Sequence, residues 1–202
     1  MFDIIHAGGW IMLPLLMSAI TALAIVGNRF WVLRRDRLAP PRLTLQIESL
    51  LQQGDMQGAL RLLEGLDTPL AAILGTGIRR IGLSREAIKE MVEETGRYEV
   101  AMLDRHLNVL GTIAAISPLL GLLGTVFGIM HAFDGLGASG AANPGLLASG
   151  ISEALITTAT GLIIAIPSLM MYRYFRARVD ELVLLMERES LKVIEIVQGD
   201  QR

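Results

Sequence analysis

Residues 107–133 read LNVLGTIAAISPLLGLLGTVFGIMHAF, and this stretch decides the fold. It carries no Asp, Glu, Lys or Arg and exceeds the about 20 apolar helical residues that cross a hydrocarbon core of ~30 Å. Gly9 to Gly27 and Ala154 to Tyr172 are likewise uncharged and long enough to cross. All 18 Lys and Arg residues fall elsewhere, in Arg29–Arg105 and Arg173–Arg202. Segments rich in Lys and Arg stay cytoplasmic, which places the N-terminus and residues 134–152 outside. A chain that is 52% hydrophobic and 19% charged, with mean hydropathy +0.50, departs from the soluble globular class in the same direction.

The first run resembles a secretory signal in length only. Its leading segment holds Asp3 and no cation, no small-residue cleavage site follows, and Arg29, Arg34, Arg35 and Arg37 come after it, so it is expected to be a retained anchor. The expected fold is all-α. It is a polytopic membrane protein with three transmembrane helices, two of them extended far into the cytoplasm, plus a small cytoplasmic helical segment. Residues 1–33 hold the outer N-terminus and first span, 34–106 the cytoplasmic helical segment and 107–133 the second span. Residues 134–152 form an outer loop, 153–172 the third span and 173–202 a cytoplasmic C-terminal helix.

Punctuation divides the cytoplasmic segment. Pro40 and Pro41 end the juxtamembrane stretch, Gly54 and Asp55 separate two short helices, and Asp67 to Pro69 opens another. Ser84 is a good N-cap, with Glu86 and Glu90 in the opening turns where the helix dipole favours acids. From Ser84 no strong breaker precedes Pro118, so one helix of roughly 75 Å is expected from Ser84 to Phe133. Beyond Tyr172, the pattern Val179, Leu182, Val183, Met186, Leu191, Ile194 continues an apolar helical stripe. Oligomerisation is expected to cover such stripes.

Composition excludes several functions. The chain has no cysteine, hence no disulfide or thiolate site. A net charge of −2 argues against nucleic acid as a partner. The basic residues around Arg34 and Arg173 are read as interfacial anchors that meet membrane lipids. His6, His106 and His131 are too scattered for a metal site, and no phosphate-binding glycine loop is present. Gly137-Ala138-Ser139-Gly140, with His131 nearby, matches the GxSG string of intramembrane serine proteases. Such a serine should open a spanning helix, whereas this one is expected in a loop, so no enzyme is expected.

On a helical wheel, Gly111, Ala115, Pro118, Gly121, Thr125, Gly128 and Ala132 form a stripe of small residues in the second span. Ala154, Thr158, Gly161, Ala165 and Ser168 repeat it in the third. Gly124 and Gly128 also have GxxxG spacing. Either the stripes only pack helices closely, or two faces with mid-span hydroxyls line a cavity, and spacing leaves both open. Glu153, the acid that opens the third run, is a functional candidate by its boundary position or a helix-start acid favoured by the macrodipole.

Residues Ser117 to Met130, SPLLGLLGTVFGIM, and Gly150 to Pro167, GISEALITTATGLIIAIP, resemble the second-span and third-span signatures of the ExbB/TolQ/MotA proton-channel family. Three spans and a short outer N-terminus resemble its ExbB and TolQ members, ExbB above all, and not the four-span MotA type. The resemblance implies a homopentamer in the bacterial inner membrane whose second and third spans surround single-span helices of an ExbD/TolR-type partner. That partner supplies a proton-carrying aspartate. No cofactor is implied beyond protons as coupling ion, and work passes to a TonB-type or TolA-type protein. By the same resemblance, Thr125 and Thr158 are pore-facing hydroxyls and Glu153 is the acid at the outer end of the third span. Pro118 and Pro167 are kink positions, and Gly121, Gly124, Gly128 and Gly161 are close-packing glycines. A passive helical scaffold is the reading from another class.

Overall fold

The computed structural model describes residues 9–34, 38–80, 82–139 and 144–199. Among them run six helices: α1 (Met12–Val32), α2 (Pro41–Gln52), α3 (Met56–Glu64), α4 (Pro69–Arg79), α5 (Arg85–Ser139) and α6 (Pro144–Gly199). α1, α5 and α6 are each long and apolar enough to cross a membrane, and the fold is all-α.

Local chemistry sets the short helices. Proline fixes φ and lacks an N–H that a first turn cannot use, so Pro41 and Pro69 start α2 and α4. Thr68 Oγ1 accepts from Ala71 N at 3.2 Å. Gly54 adopts φ +76°, a left-handed turn that favours glycine, and Asp55 then caps α3 by accepting from Gly58 N at 2.8 Å. Ser84 Oγ accepts from Ala87 N at 3.3 Å at the start of α5.

The outer loop expected over 134–152 is largely helical. α5 runs on to Ser139 and α6 begins at Pro144, because extending an existing helix costs far less than nucleating one and proline suits a first helical position. Gly137 to Ser139 therefore close α5 and do not open a spanning helix; Gly140 lies outside the described residues. Pro118 and Pro167 sit inside α5 and α6 without ending them. Each removes the donor that would meet the carbonyl four residues earlier, on Ala114 and Ile163.

The chain divides into two compact units, Met1–Gly27 with His106–Tyr174 and Asn28–Arg105 with Phe175–Arg202. In the first, Ile11, Met12 and Leu15 of α1 are buried with Leu120, Phe127 and Ile164 packed against them. Outside that contact the unit is sheathed in exposed apolar side chains, among them Leu13, Leu23, Leu119, Leu155 and Ile163 at 63–72% exposure. An apolar face this continuous is a liability in water and costs nothing in lipid.

The second unit has a conventional core. Leu43, Ile47 and Leu51 of α2, Ala59 and Leu63 of α3 and Leu70, Ile73, Leu74 and Ile78 of α4 meet Ile88 and Val92 of α5 and Met186, Val193 and Ile194 of α6. Met186 and Ile194 of the α6 stripe are thus covered by the chain's own helices, with Val183 packed against the same core. Leu191 departs from the expected stripe, being 47% exposed: it falls five residues after Met186, off the three-and-four spacing that returns a side chain to one face.

Leu74 is 1% exposed in that core, and Leu184, in the same unit, is 66% exposed. Leu74→Ala should destabilise the unit by about 2–5 kcal/mol, and Leu184→Ala by less than about 0.5 kcal/mol, in denaturant titrations of the detergent-solubilised protein. Equal effects would mean that Leu74 is not a core residue.

Candidate functional site

α5 and α6 meet through a face almost without side chains. On α5 the buried positions are Leu110, Ala114, Ser117, Gly121, Gly124, Gly128 and Ala132; on α6 they are Gly150, Ala154, Thr157, Gly161, Ala165 and Ser168. A Cβ added to Gly121 would lie 3.0 Å from Thr158 Cα, and one on Gly124 2.5 Å from Thr157 Cβ. One on Gly128 would lie 2.8 Å from Gly150 O, and one on Gly161 2.6 Å from Ser117 O. Since several of these neighbours are backbone atoms that cannot swing aside, only glycine permits the approach.

The hydroxyls respond to this approach. Thr158 Oγ1 donates across the pair to Gly121 O at 3.0 Å, a bond that needs two backbones this close. Thr157 is fully buried against Gly124 and donates to its own helix, to Glu153 O at 2.6 Å. Thr125, half-buried, donates to Leu122 O at 2.6 Å. Ser117 and Ser168, beside the two internal prolines, donate to Ile113 O at 2.8 Å and Ile164 O at 2.7 Å.

The packing face coincides with the wheel stripe only in part. It holds Ala114, Ser117 and Gly124 where the wheel had Ala115, Pro118 and Thr125, and Thr157 where the wheel had Thr158. Gly121, Gly128 and Ala132 on α5, and Ala154, Gly161, Ala165 and Ser168 on α6, belong to both. Ala115, Pro118 and Thr125 therefore line a flank left partly or wholly exposed within the chain, whereas Thr158, half-buried, sits against Gly121 at the edge of the contact, and Pro167 is exposed on α6. Glu153 is half-buried with its carboxylate against Gly9. Thr157 was legible as a threonine in the third-span run, but its role depends on a rotation of the face by about one residue that composition does not reveal.

Sequence reading also missed a charged cluster in the second unit. Arg176 Nη1 lies 2.7 Å from Asp104 Oδ2, and its Nε lies 3.8 Å from Asp180 Oδ1. Arg29 is 3% exposed and interacts electrostatically with Asp104. Phe30 and Phe175 stack edge to face beside it, ring centres 5.0 Å apart. Arg29 is therefore an internal partner; Asp104 and Arg176, 72 positions apart, leave no periodic signal. Elsewhere in this unit a polar cleft is lined by Glu64, Asp67, Thr76, Arg79, Thr95 and Glu99, with Arg79 Nη2 2.7 Å from Glu64 Oε1. Burial raises the Glu99 carboxyl above its usual range, and the charge of Asp67 adds to this. Among the described residues, no group of three His, Cys, Asp or Glu side chains is placed to hold a metal ion.

The sequence profile of the MotA/TolQ/ExbB proton channel family matches residues 65–188. The chain belongs to this family. It is 32% identical over 173 residues to an ExbB-like biopolymer transport protein of Synechocystis sp., covering 85% of this chain and 82% of that protein. It is 34% identical over 186 residues to the Tol-Pal system protein TolQ of Pseudomonas aeruginosa, covering 86% and 74%. Other curated relatives are longer, and the matches span 36% to 66% of their length. Among solved structures, Campylobacter jejuni MotAB has the same fold, with TM-score 0.57 at 21% identity over 96% of this chain and 78% of that one.

Two outcomes follow from this geometry. Gly124→Ala should cost about 1–3 kcal/mol through overpacking, whereas Gly27→Ala, inside α1 with nothing within 4 Å of the new methyl, should be neutral or stabilising by up to about 1 kcal/mol; thermal unfolding in detergent distinguishes them. Glu99 has a raised folded-state pKa, so its relative contribution to stability is full below the ordinary carboxylate pKa and is lost as pH rises through the raised value. Glu99→Gln should therefore be more stable than the parent at neutral pH, the difference vanishing in acid. A difference that grows on acidification would contradict the assignment.

Proposed function

We propose that this chain is the proton-path subunit of an inner-membrane motor of the ExbB type, which couples the proton-motive force to active transport across the outer membrane. In this reading five copies surround single-span helices of an ExbD/TolR-type partner, and a TonB-type protein receives the work. The N-terminus is periplasmic and the C-terminus cytoplasmic, and the chain catalyses no covalent chemistry. Thr125 and Thr158 face the partner, and protons are the coupling ion. One observation carries the proposal: the small-residue face of α5 and α6 is split. Gly121, Gly124, Gly128, Gly161 and Thr157 are consumed in packing, while Ala115, Pro118 and Thr125 lie beside that face, partly or wholly exposed. A pure packing stripe would leave no such remainder.

The charge inventory supports the same reading. Neither Leu107–Phe133 nor Ala154–Tyr172 contains an acid, and a proton path needs an ionisable group, so a partner helix has to bring one. A TolQ-type role in envelope integrity is the second reading, favoured by the 34% identity to a TolQ over 86% of the chain. A neighbouring reading frame for a one-span protein with an intramembrane aspartate supports either, and its companions separate them. Native mass measurement of the co-purified complex gives the subunit number.

Thr158→Val removes the hydroxyl with little change of volume, and also the bond to Gly121 O, worth about 0.5–1.5 kcal/mol. Assembly should survive, while proton-driven transport falls about tenfold or more, the effect of ~1.4 kcal/mol on a barrier. Thr158→Ser should retain transport. Undiminished transport in an assembled Thr158→Val complex would favour the passive scaffold.

A further inference from the structure

The turn before α1 is held on several sides. Gly9 O accepts from Met12 N at 3.1 Å and Trp10 O from Leu13 N at 3.2 Å. The Trp10 ring stands edge to face on Phe127, centres 5.6 Å apart, and Ile11 and Met12 are 2% and 6% exposed. Glu153 reaches this turn from α6. Its carboxylate lies against Gly9, so that a Cβ there would overlap Oε1 and fall 3.2 Å from Cδ and 3.8 Å from Cγ. Gly9 also has φ +66°, so backbone and space both call for glycine.

The electrostatics agree with the placement. The N–H groups of Met12 and Leu13 are already paired and Pro14 has none, so what the first turn of α1 offers an anion is the positive end of the macrodipole. α1 has no acid of its own in that turn. Glu153 supplies one from another helix. Its backbone carbonyl is engaged by Thr157 Oγ1 at 2.6 Å, and Thr157 is the side chain buried against Gly124.

We infer that Glu153 is a positioning residue: its carboxylate seats on the Gly9–Ile11 turn and fixes α6 against α1, and Gly9 is the residue that makes the seat. The inference rests on the proposed function only for its consequence, the orientation of Thr157 and Thr158 one turn further along α6. The contact itself is internal to this chain and is tested without transport.

The absence of cysteine makes the first test clean. In the full chain in native membranes, a Gly9→Cys, Glu153→Cys pair should oxidise to an intrachain disulfide, since a cysteine sulfur at 153 takes the place of Cγ. Both thiols are then protected from a maleimide mass tag, and reductant restores labelling. Two freely labelled thiols under oxidant, or a disulfide-linked dimer, would overturn the inference. The second test separates crowding from backbone strain. Gly9→Ala should lower Tm in the parent background, and the drop should shrink by at least half beside Glu153→Ala, where no carboxylate is displaced. An equal drop in both backgrounds would leave Gly9 as a turn residue with no tie to Glu153. If Gly9→Ala does not fold, the reverse comparison serves: Glu153→Ala, which has no group to reach the turn, should lower Tm in the parent background, and a parent-like Glu153→Ala would count against the seat.

Discussion

The contact between the backbones of α5 and α6 is the constraint on which the first unit depends. In lipid no hydrophobic gain draws two apolar helices together, so association relies on dispersion and on interhelical hydrogen bonds, both steeply dependent on distance. Gly121, Gly124, Gly128, Gly150 and Gly161 shorten that distance until Thr158 can donate to Gly121 O. A helix pair this close leaves its other faces for other duties. One of these, toward α1, receives Ile11, Met12 and Leu15.

Much of the fold was legible because the signals are local. Charge-free runs, the Asp67 to Pro69 helix start, and Gly54 with Asp55 between two short helices each act through their own few residues. The misreadings have one physical source. Whether residues 134–139 extend a helix or form a loop depends on the cost of continuing an existing helix, and glycine-rich composition does not report that cost. Likewise the cover over Met186 and Ile194 of the α6 stripe depends on how α2, α3 and α4 fold back, which no single window of sequence contains.

The site was legible in kind and not in detail. A wheel assembled from small residues found the right helices, most of the α6 face and most of the glycines, yet on α5 it placed Ala115, Pro118 and Thr125 where Ala114, Ser117 and Gly124 are buried, and on α6 it missed Thr157. The error is about one residue, or 100° of rotation, enough to exchange a packed face for its flank. Contacts between distant parts of the chain left even less trace. Asp104 with Arg176, and Glu153 with Gly9, join residues whose separation in sequence has no period, and each is recognised only when the helices are placed.

The division of faces bears on how a proton path could be shared between chains. A threonine hydroxyl can pass a proton only beside a group that takes it up and gives it back at ordinary pH, and neither long apolar run contains one. What the subunit does hold at mid-span is a set of acceptors: the Thr125 and Thr158 oxygens, each with lone-pair capacity beyond the bond it donates, and the carbonyls on Ala114 and Ile163 whose usual donors Pro118 and Pro167 remove. Acceptors without an acid are the complement of a carboxylic acid that donates when protonated and is solvated poorly when ionised. If Glu153 is engaged at the start of α1, it is not free to be that acid. Under the proposed reading the carrier then belongs to the partner helix, and this chain's contribution is a rigid wall of oxygens, held in register by glycines that leave it nowhere to move.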